Sequence, residues 1–131
     1  YLPFLLHSAY ANSSTALYPK IMEQCNVTPE EWRVLTLLAE HGPVADKAVA
    51  QLLMQPDEVF NATVEWMKDK DYIELREPNL IVLTDNGQQI VSKTIILAKE
   101  HEKNVLQSIP KERVAELKQS LKMIGAVSIN S

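Results

Sequence analysis

The feature that most constrains this chain is a change of hydrophobic period near its middle. Before residue 70 the apolar side chains recur every three or four residues, as in amphipathic helices, whereas residues 72–76 and 80–84 are short runs of β-type residues. Glu77-Pro78-Asn79 separates the two runs and is typical of a turn. The spacing therefore predicts a small β-hairpin that follows a group of helices.

Two short helices are predicted in front of the hairpin. The first covers residues 46–54 and would bury Val49, Leu52 and Leu53. Pro56 then begins a second helix, which runs to Asp69 and whose inner face is formed by Phe60, Thr63, Val64 and Met67. Two such helices joined by a tight turn form a helix-turn-helix, and the hairpin after them makes it a winged helix.

The helix before this unit has a clear start and a clear end. Thr28-Pro29-Glu30-Glu31 is a capping box, with Thr28 as the N-cap and the Glu31 side chain reaching back to it. Gly42-Pro43 ends the helix, because glycine suits a left-handed C-cap and proline cannot continue a helix. The predicted buried stripe between these ends consists of Trp32, Leu35, Leu38 and Ala39.

The remaining segments predict outer helices with unpaired apolar stripes. Residues 1–22 read as one amphipathic helix that carries Leu6, Tyr10, Leu17 and Ile21. A long helix over residues 85–107 carries Ile90, Val91, Thr94, Leu97, Ala98 and Val105, and a last helix from Pro110 carries Val114, Leu117, Leu121 and Ile124. Because stripes of this kind are buried best against a second copy, we expect a homodimer with intertwined termini.

The resulting fold is mainly α with a small β-hairpin wing. We expect a winged helix-turn-helix domain in residues 25–87, flanked by dimerisation helices in residues 1–24 and 88–131. A chain of 131 residues with 46% hydrophobic content is long enough to bury a sizeable core.

Composition excludes several classes of protein. Cys25 is the only cysteine, which excludes a disulfide scaffold and a cysteine zinc site and fits a reducing cytoplasm. His7, His41 and His101 show no ligand spacing, so no metal or cofactor is predicted. There is no nucleophile elbow or phosphate loop, so the chain is not expected to be an enzyme. The longest uncharged stretch, residues 1–19, is too polar and too short to cross a membrane.

In its motifs the chain resembles the MarR (multiple-antibiotic-resistance regulator) family of winged-helix transcription regulators, over essentially its whole length. The segments that carry the resemblance are Val27-Thr28-Pro29-Glu30-Glu31-Trp32-Arg33-Val34-Leu35, Leu38-Ala39-Glu40-His41-Gly42-Pro43-Val44, Val49-Ala50-Gln51-Leu52-Leu53 and Leu83-Thr84-Asp85-Asn86-Gly87. The resemblance implies a homodimer that occludes a promoter and responds to an effector. It also implies that the helix from Pro56 to Asp69 enters the major groove and the hairpin flanks the minor groove.

If the chain binds double-stranded DNA in this way, specific side chains are expected to make the contacts. On the reading helix these are Gln55, Asn61, Thr63 and Lys68, although the spacing turns Thr63 inward. Asn61 suits bidentate pairing with adenine. The candidates for holding phosphate are Lys47, Lys68, Lys70 and Arg76.

Charge favours a different class of function. Residues 55–87 carry three basic and eight acidic side chains, a net charge of −5, whereas residues 1–54 (three and five) carry −2 and residues 88–131 (seven and four) carry +3. The wing tip is short, and Arg76 at its base is the only arginine of the hairpin. The alternative is therefore a winged-helix protein-interaction module with little or no DNA binding.

Two further positions allow a structural and a functional interpretation. Cys25 is either a redox-sensing thiol or a buried structural cysteine, and its place at a helix C-terminus favours the structural role. Tyr10, Tyr18 and Trp32 are either core residues or the lining of a pocket for a small aromatic or anionic effector, as in relatives of the family.

Overall fold

The computed structural model describes residues 1–125, which form seven helices and one three-stranded antiparallel sheet. The helices are α1 (Leu2–Ser14), α2 (Leu17–Cys25), α3 (Pro29–His41), α4 (Asp46–Leu53), α5 (Asp57–Asp69), α6 (Asp85–Val105) and α7 (Lys111–Ile124). The strands are β1 (Val44–Ala45), β2 (Ile73–Arg76) and β3 (Leu80–Leu83). The mainly α winged helix with its hairpin is thereby confirmed. Residues 126–131 of the predicted segment 88–131 lie outside the described residues.

The sheet contains one strand that the sequence analysis missed. Its order is β1-β3-β2, so that β3 is central and β1 pairs with it through Val44 opposite Ile81 and Ala45 opposite Leu80. A strand of two residues is too short to show an alternating pattern, so only its pairing with β3 defines it. This strand fixes the end of α3 and the start of α4 to the wing.

The predicted ends of α3 are largely confirmed. The Thr28 hydroxyl accepts a hydrogen bond from the backbone N–H of Glu31 at 3.1 Å, and the Glu31 carboxylate accepts one from the backbone N–H of Thr28 at 2.9 Å. Gly42 has φ of +76° as expected, but its ψ of −154° is extended and not left-handed helical. The buried side of α3 also differs, since Val34 is buried and Ala39 is exposed.

The first 25 residues form two helices and not the single one predicted. The proline at position 19 is the physical reason. In a continuous helix its missing N–H would have bonded to the carbonyl of Thr15, and its ring would clash with that carbonyl. The chain therefore turns at Thr15-Ala16, and α2 begins at Leu17 with Pro19 in its first turn. The break leaves α2 free to pack on α6 at its own angle.

The core lies where α2, α3, α5 and α6 meet the sheet. The inner face predicted for α5 is confirmed, because Phe60, Thr63, Val64 and Met67 are all buried. The largest fully buried apolar side chains are Ile21, Leu35, Leu38, Met67 and Ile81. Residues 55–87, here called the reading head, thus share one core with α2.

The two outermost helices leave their apolar stripes open. No residue of α1 or α7 is buried. α6 ends at Val105, two residues earlier than predicted, and Val105 itself is exposed. The exposed large apolar side chains of these segments include Phe4, Leu5, Tyr10, Leu117, Leu121 and Ile124.

Candidate nucleic-acid interface and aromatic cavity

The side of α5 opposite the core is acidic. Helical spacing puts Glu58, Ala62, Glu65 and Asp69 on the stripe that points directly away from the buried residues. We call this stripe the acidic face. One flank of it carries the exposed side chains of Val59 and Trp66. Three carboxylates therefore occupy the surface that a winged helix offers to DNA phosphates.

The exposed cations of the reading head are paired with neighbouring carboxylates. Lys68 Nζ lies 3.2 Å from Glu65 Oε1, and the Arg76 guanidinium lies 3.2 Å from Glu74 Oε1. Both pairs are solvent-exposed, so each contributes little to stability and can open for another partner. Lys68 and Arg76 are placed at the surface as predicted, but neither is surrounded by net positive charge.

Two of the predicted DNA-contacting residues lie elsewhere. Thr63 is 1% exposed and its hydroxyl donates to the carbonyl of Val59 at 2.8 Å, because its position on α5 faces the core. Lys70 lies in the reading head but turns inward, with Nζ 2.8 Å from Oε1 of the fully buried Glu31. The Thr63 side chain is therefore enclosed by the core, whereas Lys70 stays part-exposed, with its ammonium paired to Glu31.

The other predicted contacts meet at a groove between α4 and α5. This groove has a volume of about 510 Å³ and is lined in part by Lys47, Gln55 and Asn61. The side chains of Lys47 and Asn61 are exposed at its edge. The polar atoms of the Gln55 side chain are buried and have no hydrogen-bond partner within residues 1–125. The structure thus brings these three residues together, with two of them open to solvent.

Tyr10, Tyr18 and Trp32 line one cavity, here called the aromatic cavity. Its volume is about 540 Å³, and its walls come from five helices, α1, α2, α3, α6 and α7. The rings pack edge to face, with centroids 6.4 Å apart between Tyr10 and Tyr18 and 5.9 Å apart between Tyr18 and Trp32. The indole N–H of Trp32 is buried and lacks a hydrogen-bond acceptor among the described residues.

The charged groups in and beside the aromatic cavity are three cations, Arg33, Lys99 and Lys118, and one carboxylate, Glu102. Arg33 Nε donates to the Tyr10 hydroxyl at 2.9 Å, and its guanidinium lies 5.5 Å from the centre of the Tyr10 ring. Lys99 and Lys118 lie in the cavity wall. The hydroxyls of Tyr10 and Tyr18 are hydrogen-bonded to each other. Burial raises the pKa of Tyr18, and its hydrogen bond with Tyr10 raises it further, while Arg33 opposes both.

The sequence analysis missed the cationic part of this cavity. Arg33 and Lys99 sit on helices whose separation along the chain hides their proximity. The only local signal was the position of Arg33, which follows Trp32 directly. Lys118 is also partly engaged, since its ammonium lies 2.9 Å from Glu102 Oε1.

Cys25 is buried at the last residue of α2. Its side chain is 7% exposed and belongs to the hydrophobic core. Burial limits access of an oxidant to the thiol. The geometry therefore favours the structural role over the redox role.

The described residues form neither a metal-binding cluster nor a membrane-spanning helix. Within residues 1–125 no group of three or more His, Cys, Asp or Glu side chains is arranged to hold a metal ion. None of the helices there has the length and apolar content needed to cross a bilayer.

A helix-turn-helix with a β-wing and flanking helices defines the winged-helix class of proteins. Solved structures with this fold are similar to nearly the whole chain, and several of them are described as MarR family proteins. NadR in complex with 4-hydroxyphenylacetate is similar with a TM-score of 0.84 and 19% identity, covering 98% of this chain and 94% of that chain. The chain therefore has the fold of the MarR family regulators.

Two further structures support this assignment of the fold. A MarR family transcriptional regulator from Rhodococcus sp. gives a TM-score of 0.82 at 18% identity, over 95% of this chain and 91% of that one. A MarR family protein from Mycobacterium tuberculosis in complex with DNA gives a TM-score of 0.74 at 17% identity, over 96% of this chain and 98% of that chain. No protein-family model matches the sequence, and no curated protein sequence matches it.

Proposed function

We propose that this chain is a MarR family transcription regulator, and not an enzyme, which acts in the cytoplasm as a homodimer on pseudo-palindromic promoter DNA. The observation that carries the proposal is the match of the fold over nearly the whole chain, flanking helices included, to regulators of which one is bound to DNA. A fold alone does not define a function, so the proposal also depends on the surfaces described above.

The homodimer is supported by the open apolar stripes of α1 and α7. Phe4 and Leu5 on α1, and Leu117 and Leu121 on α7, are exposed in the single chain. Burial of such side chains against a second copy is favourable by about 25 cal/mol for each Å² of apolar surface. A two-fold dimer of this kind would place its two α5 helices about one DNA turn, or roughly 10 base pairs, apart.

We propose that DNA is contacted from the groove between α4 and α5 and from the wing. Lys47 would hold phosphate, Asn61 would read a base edge, and Arg76 would meet the backbone beside the wing. Lys68 can join them when its surface pair with Glu65 opens. Gln55 lines the same groove with its polar atoms buried. Because the acidic face repels phosphates, we expect weak binding with a small salt dependence.

Fluorescence anisotropy with genomic duplex fragments tests this proposal. At about 50 mM salt, where phosphate contacts are strongest, the wild-type protein is expected to bind. Lys47→Ala should weaken binding and reduce the slope of log K against log salt by about one. Lys20→Ala is the matched control, since Lys20 is also exposed but lies on α2, outside the groove. Absence of any binding at low salt would remove the DNA-binding proposal.

The aromatic cavity supports a response to a small aromatic anion. Its rings would stack on an aromatic ligand, the indole N–H of Trp32 offers a donor, and the cations in and beside the wall favour a negative charge. NadR, with the same fold, is described in complex with 4-hydroxyphenylacetate. Calorimetric titration with 4-hydroxyphenylacetate should show saturable binding, and DNA affinity should change when the ligand is bound. A flat titration with this compound and with its simpler relative benzoate would count against an aromatic effector.

The acidic face supports a second candidate function, a protein-interaction module. Three carboxylates lie beside the exposed apolar side chains of Val59 and Trp66, a combination suited to a basic, amphipathic segment of another protein. Substitution of Glu58, Glu65 and Asp69 by lysine separates the two functions. If the substitutions abolish binding of a lysine- and leucine-rich helical peptide and leave duplex binding unmeasurable, the interaction module is correct. If they strengthen duplex binding and the wild type never bound the peptide, it is wrong.

A further inference from the structure

The end of the reading helix is attached to the junction between α2 and α3. Lys70, the C-cap of α5, donates from Nζ to the carbonyl oxygen of Asn26 at 3.2 Å, and the hydroxyl of Tyr72 donates to the same oxygen at 3.3 Å. Asn26 is the C-cap of α2 and has a left-handed backbone with φ of +55°. One carbonyl oxygen therefore receives two side chains that follow α5.

The same lysine is paired with a buried carboxylate. Glu31 is fully buried, and its Oε1 atom accepts hydrogen bonds from Lys70 Nζ at 2.8 Å and from the backbone N–H of Thr28 at 2.9 Å. Its other oxygen has no hydrogen-bond partner among the described residues. A buried carboxylate is very unfavourable without a cation, so the fold holds Lys70 at this position.

The backbone of the same segment is attached to the start of α6. The Asn86 side-chain amide donates to the carbonyl of Lys70 at 3.1 Å, and the backbone N–H of Thr84 donates to the carbonyl of Tyr72 at 3.1 Å. Gly87 lies so close that a Cβ atom there would be 2.0 Å from the Tyr72 carbonyl oxygen. Residues 70–72 thus connect α5 both to the end of α2 and to the start of α6.

We propose that Lys70 is a positioning residue that sets the orientation of α5 relative to α2, α3 and α6, and is not a phosphate ligand. The four residues Asn26, Glu31, Lys70 and Tyr72 are here called the Lys70 clamp. Removing the ammonium group leaves Glu31 buried without its cation, so the carboxylate is neutralised, hydrated or moved, and in each case the ion pair that joins α5 to α3 is lost. The angle of α5 is then no longer fixed by its C-terminal end.

The clamp also lies beside the aromatic cavity. Glu31 and Trp32 are consecutive in the first turn of α3, and they reach the clamp and the cavity respectively. A ligand that moves the first turn of α3 therefore acts on the Glu31–Lys70 pair directly. This second part of the inference rests on the proposed effector function, whereas the positioning role of Lys70 does not.

Distance measurement between two spin labels tests the positioning role without DNA. Labels are placed at Asn61→Cys on α5 and Lys103→Cys on α6, in a Cys25→Ser background, and the labelled protein is diluted with unlabelled protein so that distances within one chain are measured. Lys70→Met is expected to broaden the distance distribution about twofold, because an opened buried pair allows local motion. Lys68→Met is the matched control, since that lysine pairs with Glu65 at the surface.

A second variant covers the case in which Lys70→Met fails to fold. Tyr72→Phe removes one hydrogen bond to Asn26 and retains the ring, so it should broaden the same distribution to a smaller degree. The double variant Glu31→Gln with Lys70→Met removes both charges and should narrow the distribution relative to Lys70→Met alone. Unchanged distributions in Lys70→Met, or in Tyr72→Phe where only that variant folds, would overturn the positioning role.

The regulatory part has its own readout. Saturating 4-hydroxyphenylacetate is expected to shift the wild-type distance distribution but to leave that of Lys70→Met unshifted. An equal shift in both proteins would overturn the coupling through the clamp. If the protein binds neither the ligand nor DNA, but Lys70→Met still broadens the distance distribution, the proposed function is refuted and the positioning role stands.

Discussion

The aromatic cavity and the acidic face of α5 differ in both charge and origin. The cavity is walled by side chains from five helices and has Arg33, Lys99 and Lys118 in or beside its wall. The acidic face comes from a single helix and presents the carboxylates of Glu58 and Glu65. The surface where the fold leads one to expect anionic DNA is negative, and the positive surroundings belong to the cavity.

This difference shows that the fold and the charge of a surface are specified separately. The inner face of α5 has the residues that pack a winged helix, while its outer face has few of the groups that neutralise phosphate. Each of the following predictions changes one of the two regions, or the contact between residues 70–72 and the start of α6, here called the joint. The unchanged region serves as an internal reference.

The largest effect is expected at the joint that both regions share. Gly87→Ala would place a Cβ atom 2.0 Å from the backbone carbonyl oxygen of Tyr72, so the start of α6 must move away from the wing. We expect a loss of about 3 kcal/mol in the free energy of unfolding, measured by urea denaturation. Gly125→Ala near the end of α7 is the control and should change it by less than about 0.5 kcal/mol. Equal effects of the two substitutions would contradict the close packing at this joint.

The next largest effect concerns the acidic face. Glu58→Gln combined with Glu65→Gln removes two negative charges and releases Lys68 from its pair. Duplex affinity at low salt should rise about tenfold, or about 1.4 kcal/mol, if α5 faces DNA. The control is Glu112→Gln combined with Glu116→Gln on α7, which alters net charge equally. If both double variants raise affinity alike, the effect is general and α5 does not face the duplex.

A smaller effect is expected in the aromatic cavity. Trp32→Phe keeps an aromatic ring but removes the buried indole N–H, which has no acceptor in the described part of the chain. Binding of 4-hydroxyphenylacetate should weaken about fivefold, since one hydrogen bond contributes about 1 kcal/mol. Trp66→Phe, at the other tryptophan and on the exposed flank of α5, should leave the calorimetric affinity unchanged. Equal affinities of all three proteins would exclude Trp32 as a donor to the ligand.

The smallest effect is a pH dependence of stability with one contribution from the aromatic cavity and one from the Lys70 clamp. Burial raises the pKa of Tyr18 at the cavity and of Tyr72 at the reading head above the ordinary value of 10.0. The unfolded chain therefore loses these protons first, so the stabilisation is complete below pH 10.0 and is lost as pH rises through the folded-state pKa values. Between about pH 9 and about pH 11, the Tm from thermal melts should fall less in Tyr18→Phe and in Tyr72→Phe than in wild type. A decline that neither substitution reduces would show that other groups cause it.

Much of the fold could be predicted because it depends on local patterns. The capping box at Thr28 and the stop at Gly42 are defined by residues within four positions of each other, and both were located correctly. The break between α1 and α2 also has a local cause, the proline at position 19, which the apolar stripe concealed. β1 was not predictable in this way, because two residues become a strand only by pairing with β3.

The candidate sites were predicted less completely. Tyr10, Tyr18 and Trp32 were identified as possible pocket residues and do meet at one cavity. Among the proposed DNA contacts, Thr63 proved to face the core, as its spacing had indicated. The pairing of Lys70 with Glu31 was not predictable, because the two residues lie far apart in the sequence; its role as a phosphate contact stays a prediction.

The sequence by itself determined the ends of α3, the inner face of α5 and the acidity of the reading head, since capping, periodicity and charge are properties of short segments. The tertiary structure decided what those charges do. Glu31 and Lys70 are 39 residues apart, and only the packing of α3 against α5 places them in contact. The same packing pairs the ammonium of the part-buried Lys70 with Glu31, and the meeting of α6 and α7 with the first three helices brings Lys99 and Lys118 to the aromatic cavity. Burial and pairing depend on which elements meet, and that information belongs to the whole fold and not to any one segment.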